Sequence, residues 1–322
     1  MFIGGGTPSL LSGRAMARLL EGVRDRLAFG DDVEITLEAN PGTADSSHFE
    51  GYLASGVNRL SIGIQSLDDR MLVRLGRVHD AGQAVEAVRS ARETGFENVN
   101  LDLMFGLPGQ TPHEALLDLQ RVIDLSPEHI SWYQLTLEPN TPFYRDRPVL
   151  PGDDEVAEML EQGQALLKSS GYVQYEVSAY ARAGKRCRHN LNYWNFGDYL
   201  GIGAGAHGKI TGPGHAVRRL ARLRHPKAYL EHAGHPEVIT EQRSLNDADL
   251  VFEFMLNGLR LISGVRVEGF TRATGLPSQA LEPGLRLATA RGLLAVTQDV
   301  VCPTPLGRRF LDDLVALFLP EQ

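Results

Sequence analysis

Short apolar-rich runs alternate along the first half of the chain with stretches whose apolar residues recur at helical spacing. Val33-Glu34-Ile35-Thr36-Leu37-Glu38 reads as a strand, as do Arg59 to Gln65, Asn98 to Met104 and His129 to Thr136. Between them, Ser12 stands where it can cap a helix running through Ala15, Leu19, Val23 and Leu27. Ala81 to Thr94 carries Ala and Val at helical spacing. Thr111, Pro112 and Glu114 form a capping box with proline at the first helical position. The predicted strand ends fall near Thr7, Glu38, Gln65, Met104 and Thr136, roughly 30 residues apart, the length of successive βα units. A parallel sheet follows from that order. Five units are too few for a complete eight-fold barrel. Met1-Phe2-Ile3 reads as the last residues of a buried strand, opening at once into Gly4-Gly5-Gly6-Thr7; a strand of that kind needs neighbours and a covering helix.

The pattern changes after Pro139-Asn140-Thr141-Pro142. A helix is predicted from Asp154 to Ser169 and a strand from Tyr172 to Val177. A Gly-, Asn- and aromatic-rich loop, Arg182 to Gly208, leads into a basic segment, Arg218 to Lys227. From Leu245 the pattern turns helical, with Asn246 or Asp247 capping a helix through Leu261. Further helices fit Val267–Thr274, Gln279–Arg291 and Leu306–Phe318, and a small hairpin fits 292–305. Three domains are expected: 1–142, a connecting region 143–244, and a winged-helix-like helical domain 245–322.

Composition narrows the function classes. At 322 residues the chain can bury a large core plus a smaller one. A formal charge of -8 argues against general nucleic-acid binding, which needs an excess of Lys and Arg. No apolar run reaches membrane-spanning length, and no signal-peptide pattern is present, so a cytoplasmic protein is expected. The 2 cysteines, Cys187 and Cys302, are far apart and form no ligand cluster for zinc or iron–sulfur.

In a parallel βα fold, ligands bind at the carboxyl ends of the strands. Here those ends carry Gly4-Gly5-Gly6-Thr7, Glu38, Gln65 and, near the fourth, Asp102, with Arg77 beyond the third. Glycines admit a ligand to the backbone. Acidic Glu38 and Asp102 suit an amine or ribose hydroxyls; Gln65 and Arg77 suit a carboxylate. Together they describe a pocket for a zwitterionic nucleoside. The plainer alternative is a tight turn with internal salt bridges; four polar strand ends in register favour the site.

A second constellation is Cys187-Arg188-His189-Asn190-Leu191-Asn192-Tyr193-Trp194, followed by Gly201 to Gly208. Histidine is a common axial ligand of heme iron, and Tyr193 and Trp194 can stack on a flat macrocycle; His207 is a second candidate. On the residues alone, a histidine that packs a loop is the better reading. Arg218, Arg219, Arg222 and Arg224 read as a solvated face, with porphyrin propionates as the alternative.

Phe2 to Leu11 (FIGGGTPSLL), Leu37 to Thr43 (LEANPGT), Arg59 to Ser66 (RLSIGIQS), Leu75 to Ala81 (LGRVHDA), Asn100 to Thr111 (NLDLMFGLPGQT), His129 to Tyr144 (HISWYQLTLEPNTPFY), His189 to Gly208 (HNLNYWNFGDYLGIGAGAHG) and Thr304 to Leu314 (TPLGRRFLDDL) resemble the oxygen-independent coproporphyrinogen III oxidase-like family of radical S-adenosylmethionine (SAM) proteins. Within it, HNLNYW resembles the HNxxYW motif of the family's heme chaperones. The resemblance covers nearly the whole chain. It implies an α/β fold, a partial TIM-like (β/α) barrel lacking its first βα unit, with the C-terminal winged-helix-like helical domain. It implies SAM contacts at Gly5, Gly6, Thr7, Glu38, Gln65, Arg77, Asp102 and Met104. It makes His189 the leading candidate for heme iron, with Asn190, Tyr193 and Trp194 beside it, and so reverses the reading of that segment from residues alone.

Family members hold a [4Fe–4S] cluster on a CxxxCxxC loop after the first strand. Those cysteines are absent here; the expectation is that the natural start lies upstream. As written, the chain is not expected to cleave SAM reductively, and no residue is assigned a catalytic role. The implied function is heme binding and transfer to an acceptor protein, which can itself be membrane-associated. The alternative is coproporphyrinogen III oxidation, in which a SAM-derived radical leads to decarboxylation of propionates. A third reading, a nucleic-acid-binding winged helix, is opposed by the acidic balance and by the apolar stripe Phe310, Leu311, Leu314, Leu317.

Overall fold

The computed structural model describes residues 1–42 and 48–320; Thr43, the last residue of LEANPGT, lies outside them. The chain divides into two compact units, Met1–Cys187 and Arg188–Gln322.

The first unit is built on a seven-stranded mixed sheet. Its strands are β1 (Phe2–Ile3), β2 (Thr36–Ala39), β3 (Arg59–Gln65), β4 (Val99–Phe105), β5 (His129–Gln134), β6 (Val173–Glu176) and β7 (Ala179–Ala181), in the order β1-β2-β3-β4-β5-β7-β6. The first five are parallel neighbours; β7 closes antiparallel on β5, and β6 on β7. Side chains alternate across each strand. Leu37, Leu60, Ile62, Ile64, Leu101, Leu103, Ile130 and Trp132 share one core with Ala84, Ala87, Val88 and Ala91 of helix Ala81–Thr94 and Leu119 and Val122 of helix Pro112–Asp124. Each large apolar side chain sealed there contributes roughly 1.5–3 kcal/mol of transfer free energy. The alternate positions, Thr36, Glu38, Arg59, Ser61, Gln65, Asn100, Asp102, His129, Ser131 and Tyr133, are polar and lie on the opposite face.

Local chemistry sets the helix limits. Ser12 accepts from Ala15 N–H and starts helix Gly13–Arg24. Asp80–Gln83 and Thr111–Glu114 form reciprocal capping boxes. Gly95, at φ 107°, ends helix Ala81–Thr94 in the left-handed conformation. Helix Asp153–Ser169 passes Trp132 at Gly163, where a Cβ would stand 1.9 Å from the indole ring.

In the second unit, β8 (His207–Thr211), β9 (Val217–Arg222) and β10 (Ile239–Ser244) form an antiparallel sheet in the order β10-β9-β8. A smaller antiparallel sheet joins β11 (Val265–Arg266), β12 (Leu294–Thr297) and β13 (Val300–Pro303). Helices Asp247–Gly258, Val267–Thr274 and Glu282–Ala290 bury Phe254, Met255, Phe270 and Ala288 in a core with Val301 and Leu314. Asn246, not Asp247, caps the first of these. The single final helix expected from the sequence is two, Pro305–Arg309 and Leu311–Ala316, broken at Phe310 where ψ is 48°.

Two further differences bear on function. HNLNYW is not loop: Arg188–Trp194 is a helix, so His189 and Tyr193, four residues apart, share one face. The basic segment is not a uniform solvated face either. Arg219 pairs with Glu253, and Arg222 Nε donates to Gly201 O at 2.6 Å. Arg218 and Arg224 remain exposed.

Candidate functional site

The strand-end residues of the first unit converge on the polar face of its sheet. Register sets Glu38 beside Ser61, Asp102 beside Ser131, and Met104 beside Tyr133. Gly5 N–H donates to Glu38 Oε2 at 2.9 Å, joining the end of β1 to that of β2. Gly5 and Gly6 have φ of 80° and 60°, and a Cβ on either would meet nothing within 4 Å. The backbone there is open and its conformation suits glycine. At Gly4 a Cβ would lie 2.7 Å from the Glu38 carboxyl. Thr7 is exposed beyond the turn.

Gln65 ends β3 at φ 64°, a conformation rare for a residue with a side chain. Tyr133 O–H donates to its Oε1 at 2.6 Å, and a Cβ at Gly63 would come within 2.9 Å of its Nε2. The side-chain amide is therefore held by Tyr133 of β5 and packs closely over Gly63 of its own strand. Arg77 is exposed, but its charge reaches Tyr133. Burial pushes the Tyr133 phenol well above its usual value, and the charges of Asp102 and Glu38 add to that. Met104 packs with Met71, Leu107 and Leu135.

Asp102 sits in the middle of β4, one layer deeper than a strand end. Its Oδ1 accepts from Asn100 Nδ2 at 2.8 Å and its Oδ2 from Ser61 Oγ at 3.2 Å. Burial raises its carboxyl above the usual range; bonds from Asn100, Ser131 and Ser61 and the charge of Arg59 oppose that. Glu38 is also raised, by burial first, with Gly5 N–H opposing and the Asp102 charge reinforcing. Two nearby carboxylates, an open glycine turn, a fixed amide and an arginine are a donor and acceptor set that fits the amine, carboxylate and ribose of a nucleoside amino acid such as SAM.

Sequence reasoning missed the layer beneath: Arg59, Ser61, Asn100, His129 and Ser131. Each falls at the inward parity of its strand, so the alternation of β3, β4 and β5 was the signal available.

In the second unit, the His189 and Tyr193 rings lie 4.7 Å apart, and Tyr193 stacks on Tyr199 at 4.4 Å. Arg219 Nη1 donates to Tyr199 Oη at 2.6 Å while its guanidinium pairs with Glu253. Tyr193 and Tyr199 line a cavity of about 550 Å³ with Phe252, Glu253 and Leu256. Burial pushes the Tyr193 phenol up to about 12, with Tyr199 adding to the effect and Arg219 opposing it, so it stays protonated at neutral pH. The Arg260 guanidinium lies 4.4 Å from the Trp194 ring centre. Asn190 is half-buried on the same helix, and His207 is exposed on β8.

Residues 1–122 match the Radical SAM superfamily, and residues 245–310 match the HemN C-terminal domain. Over 322 residues the chain is 48% identical to the heme chaperone HemW of Haemophilus influenzae, covering 100% of this chain and 83% of that one. It is 49% identical to HemW of Escherichia coli over 321 residues, covering 100% and 84%. The chain belongs to the HemW family. This family lies within the radical SAM superfamily, and the match extends to Bacillus subtilis HemW at 35% identity. The solved structure of coproporphyrinogen III oxidase (HemN) from Escherichia coli has the same fold, with a TM-score of 0.81 at 22% identity, covering 98% of this chain and 76% of that one.

The HemW-family chain differs in its two implied cofactors. Its polar strand ends suit SAM. Among the described residues no group of three His, Cys, Asp or Glu side chains is placed to hold a metal ion, so the residues present do not fit a [4Fe–4S] cluster.

Proposed function

We propose that this chain is a heme chaperone that binds heme through the helix bearing His189 and passes it to an acceptor protein. The observation that carries the reading is the family match to HemW along the whole chain, joined to the HNLNYW segment. His189 is the axial ligand of the cargo heme. Tyr193, half-buried and stacked on Tyr199, offers its ring as a wall for the macrocycle, and Trp194 and Asn190 complete the contact. A protonated Tyr193 does not compete with histidine for the iron. Residues 143–244 connect a partial TIM-like barrel to a winged-helix-like domain at 245–322.

SAM is assigned to Gly5, Gly6, Thr7, Glu38, Gln65, Arg77, Asp102 and Met104. These residues would bind and orient SAM, and no radical step is assigned to this chain, whose residues do not fit the cluster. Glu38 takes the amine, Gln65 and Arg77 the carboxylate, Asp102 the ribose hydroxyls, and Met104 the adenine face. No helix among the described residues is long and apolar enough to cross a membrane. We place the protein in the cytoplasm, with an acceptor free to sit at a membrane.

The alternative, coproporphyrinogen III oxidase, draws on the shared fold alone. One experiment separates the two. The heme-loaded chain is mixed with a heme-free acceptor protein, and in parallel given coproporphyrinogen III and SAM under reducing conditions. Loss of the chain's heme absorbance with matching gain by the acceptor, and no decarboxylated porphyrin, is expected. Decarboxylated product, or heme retained without transfer, would contradict it.

A further inference from the structure

Beneath the strand-end residues, four side chains from three strands form one continuous line of hydrogen bonds. Tyr175 of β6 meets His129 Nε2 at 2.9 Å. His129 Nδ1 lies 2.6 Å from Asn100 Oδ1, and Asn100 Nδ2 donates to Asp102 Oδ1 at 2.8 Å. His129, at 0% exposure, Asn100, at 2%, and Tyr175, at 3%, are sealed from solvent.

The direction of the line follows from its end. A carboxylate only accepts, so Asn100 must turn its NH2 toward Asp102. Its carbonyl then faces His129 and also accepts from Ser131 Oγ at 3.0 Å. His129 must carry its proton on Nδ1, which leaves Nε2 bare to accept the Tyr175 hydroxyl. Burial, with the charge of Arg59 adding to it, holds His129 well below its usual range, so it is neutral. A proton on Asp102 Oδ1 would turn the Asn100 amide around and reverse the bonds behind it. The tautomer of one buried histidine therefore reports which way the Asn100 amide faces Asp102.

We propose that Tyr175, His129 and Asn100 are positioning residues of the cofactor site, a one-way hydrogen-bond relay that holds Asp102 as an acceptor-only carboxylate aimed at a nucleoside. The proposal rests on the SAM reading of that site. Burial alone disfavours the Asp102 charge; the donors Asn100 and Ser61 offset it, one on each carboxylate oxygen.

The test has two arms. In the ligand-free native chain, ¹⁵N-resolved NMR of the imidazoles, with His129 assigned through His129→Gln, is expected to show a neutral Nδ1–H tautomer at pH 7. An Nε2–H tautomer or an imidazolium overturns the relay. In the second arm, SAM affinity is measured by calorimetry. His129→Asn keeps an N–H at the Nδ1 position and is expected to bind within about threefold of the native chain, whereas His129→Leu loses about tenfold, the equivalent of one lost hydrogen bond. Tyr175→Phe, the mildest change, is expected to lose severalfold and to shift the His129 resonances. Native affinity in both His129→Leu and Tyr175→Phe overturns the positioning role. Absence of SAM binding by the native chain, or unchanged affinity in Asp102→Ala, instead overturns the SAM reading, and with it the proposal, while the NMR arm still reads the direction of the relay.

Discussion

Glu38 shows how the candidate SAM site trades stability for function. Its carboxyl is raised by burial and by the neighbouring charge of Asp102, with only Gly5 N–H opposing. A raised folded value means the acid form is favoured in the fold. Its contribution is fully present below the unfolded value of about 4.5 and is lost as pH rises through the folded one. Glu38→Gln, which removes the charge, is therefore expected to melt at a higher temperature than the native chain at pH 7. The difference should vanish as pH falls below the ordinary glutamate range, while SAM affinity drops. A variant less stable than the native chain at pH 7 would show that the ionised carboxylate is net stabilising. Glu38 and Gln65 were legible as strand-end polar residues. The depth of Asp102 was not, because a strand's exit point depends on sheet register, which no local pattern records.

At the scale of elements, the helix at Gly163 sets two effects against each other. Alanine is favoured over glycine inside a helix by roughly 0.5–1 kcal/mol. Against that, a Cβ would stand 1.9 Å from the Trp132 ring, an atom of a rigid, fully buried side chain. Overpacking of this kind costs about 1–3 kcal/mol, so Gly163→Ala is expected to lower stability by about 1–2 kcal/mol in denaturant unfolding. A stabilised variant would mean that the helix slides away from the sheet at small cost. Elements with strong local signals were legible in the sequence: Arg59–Gln65 and Ala81–Thr94 have the predicted bounds, and the Thr111 box starts its helix as read. Elements held by tertiary contacts were not. The helix at HNLNYW has no cap signal in the sequence, and its Asn residues favour loops. The break at Phe310 comes where Leu311 and Leu314 turn into the core. β10 reads as ITEQRS, polar and exposed after Ile239, and is fixed by its pairing with β9.

The molecule as a whole combines a radical SAM-type α/β unit, polar on one face of its sheet, with a unit that carries the HNLNYW helix. Membership of the HemW family and the match to the HemN C-terminal domain fit that organisation. Acidic composition and the internal pairing of Arg219 and Arg222 leave little cationic surface on β9 for nucleic acid. The C-terminal apolar stripe is mostly spent inside the fold: Leu314 is buried, and Leu311 and Leu317 pack on the same core. The proposed heme-chaperone role puts His189 on the heme iron. The most direct measurement is therefore the Soret spectrum of the heme-loaded native chain beside that of His189→Ala, with His207→Ala as control. A histidine-ligated band that is lost or shifted in His189→Ala, at weaker heme affinity, and unchanged in His207→Ala is the expected result. Identical spectra and affinities for native and His189→Ala would contradict the account.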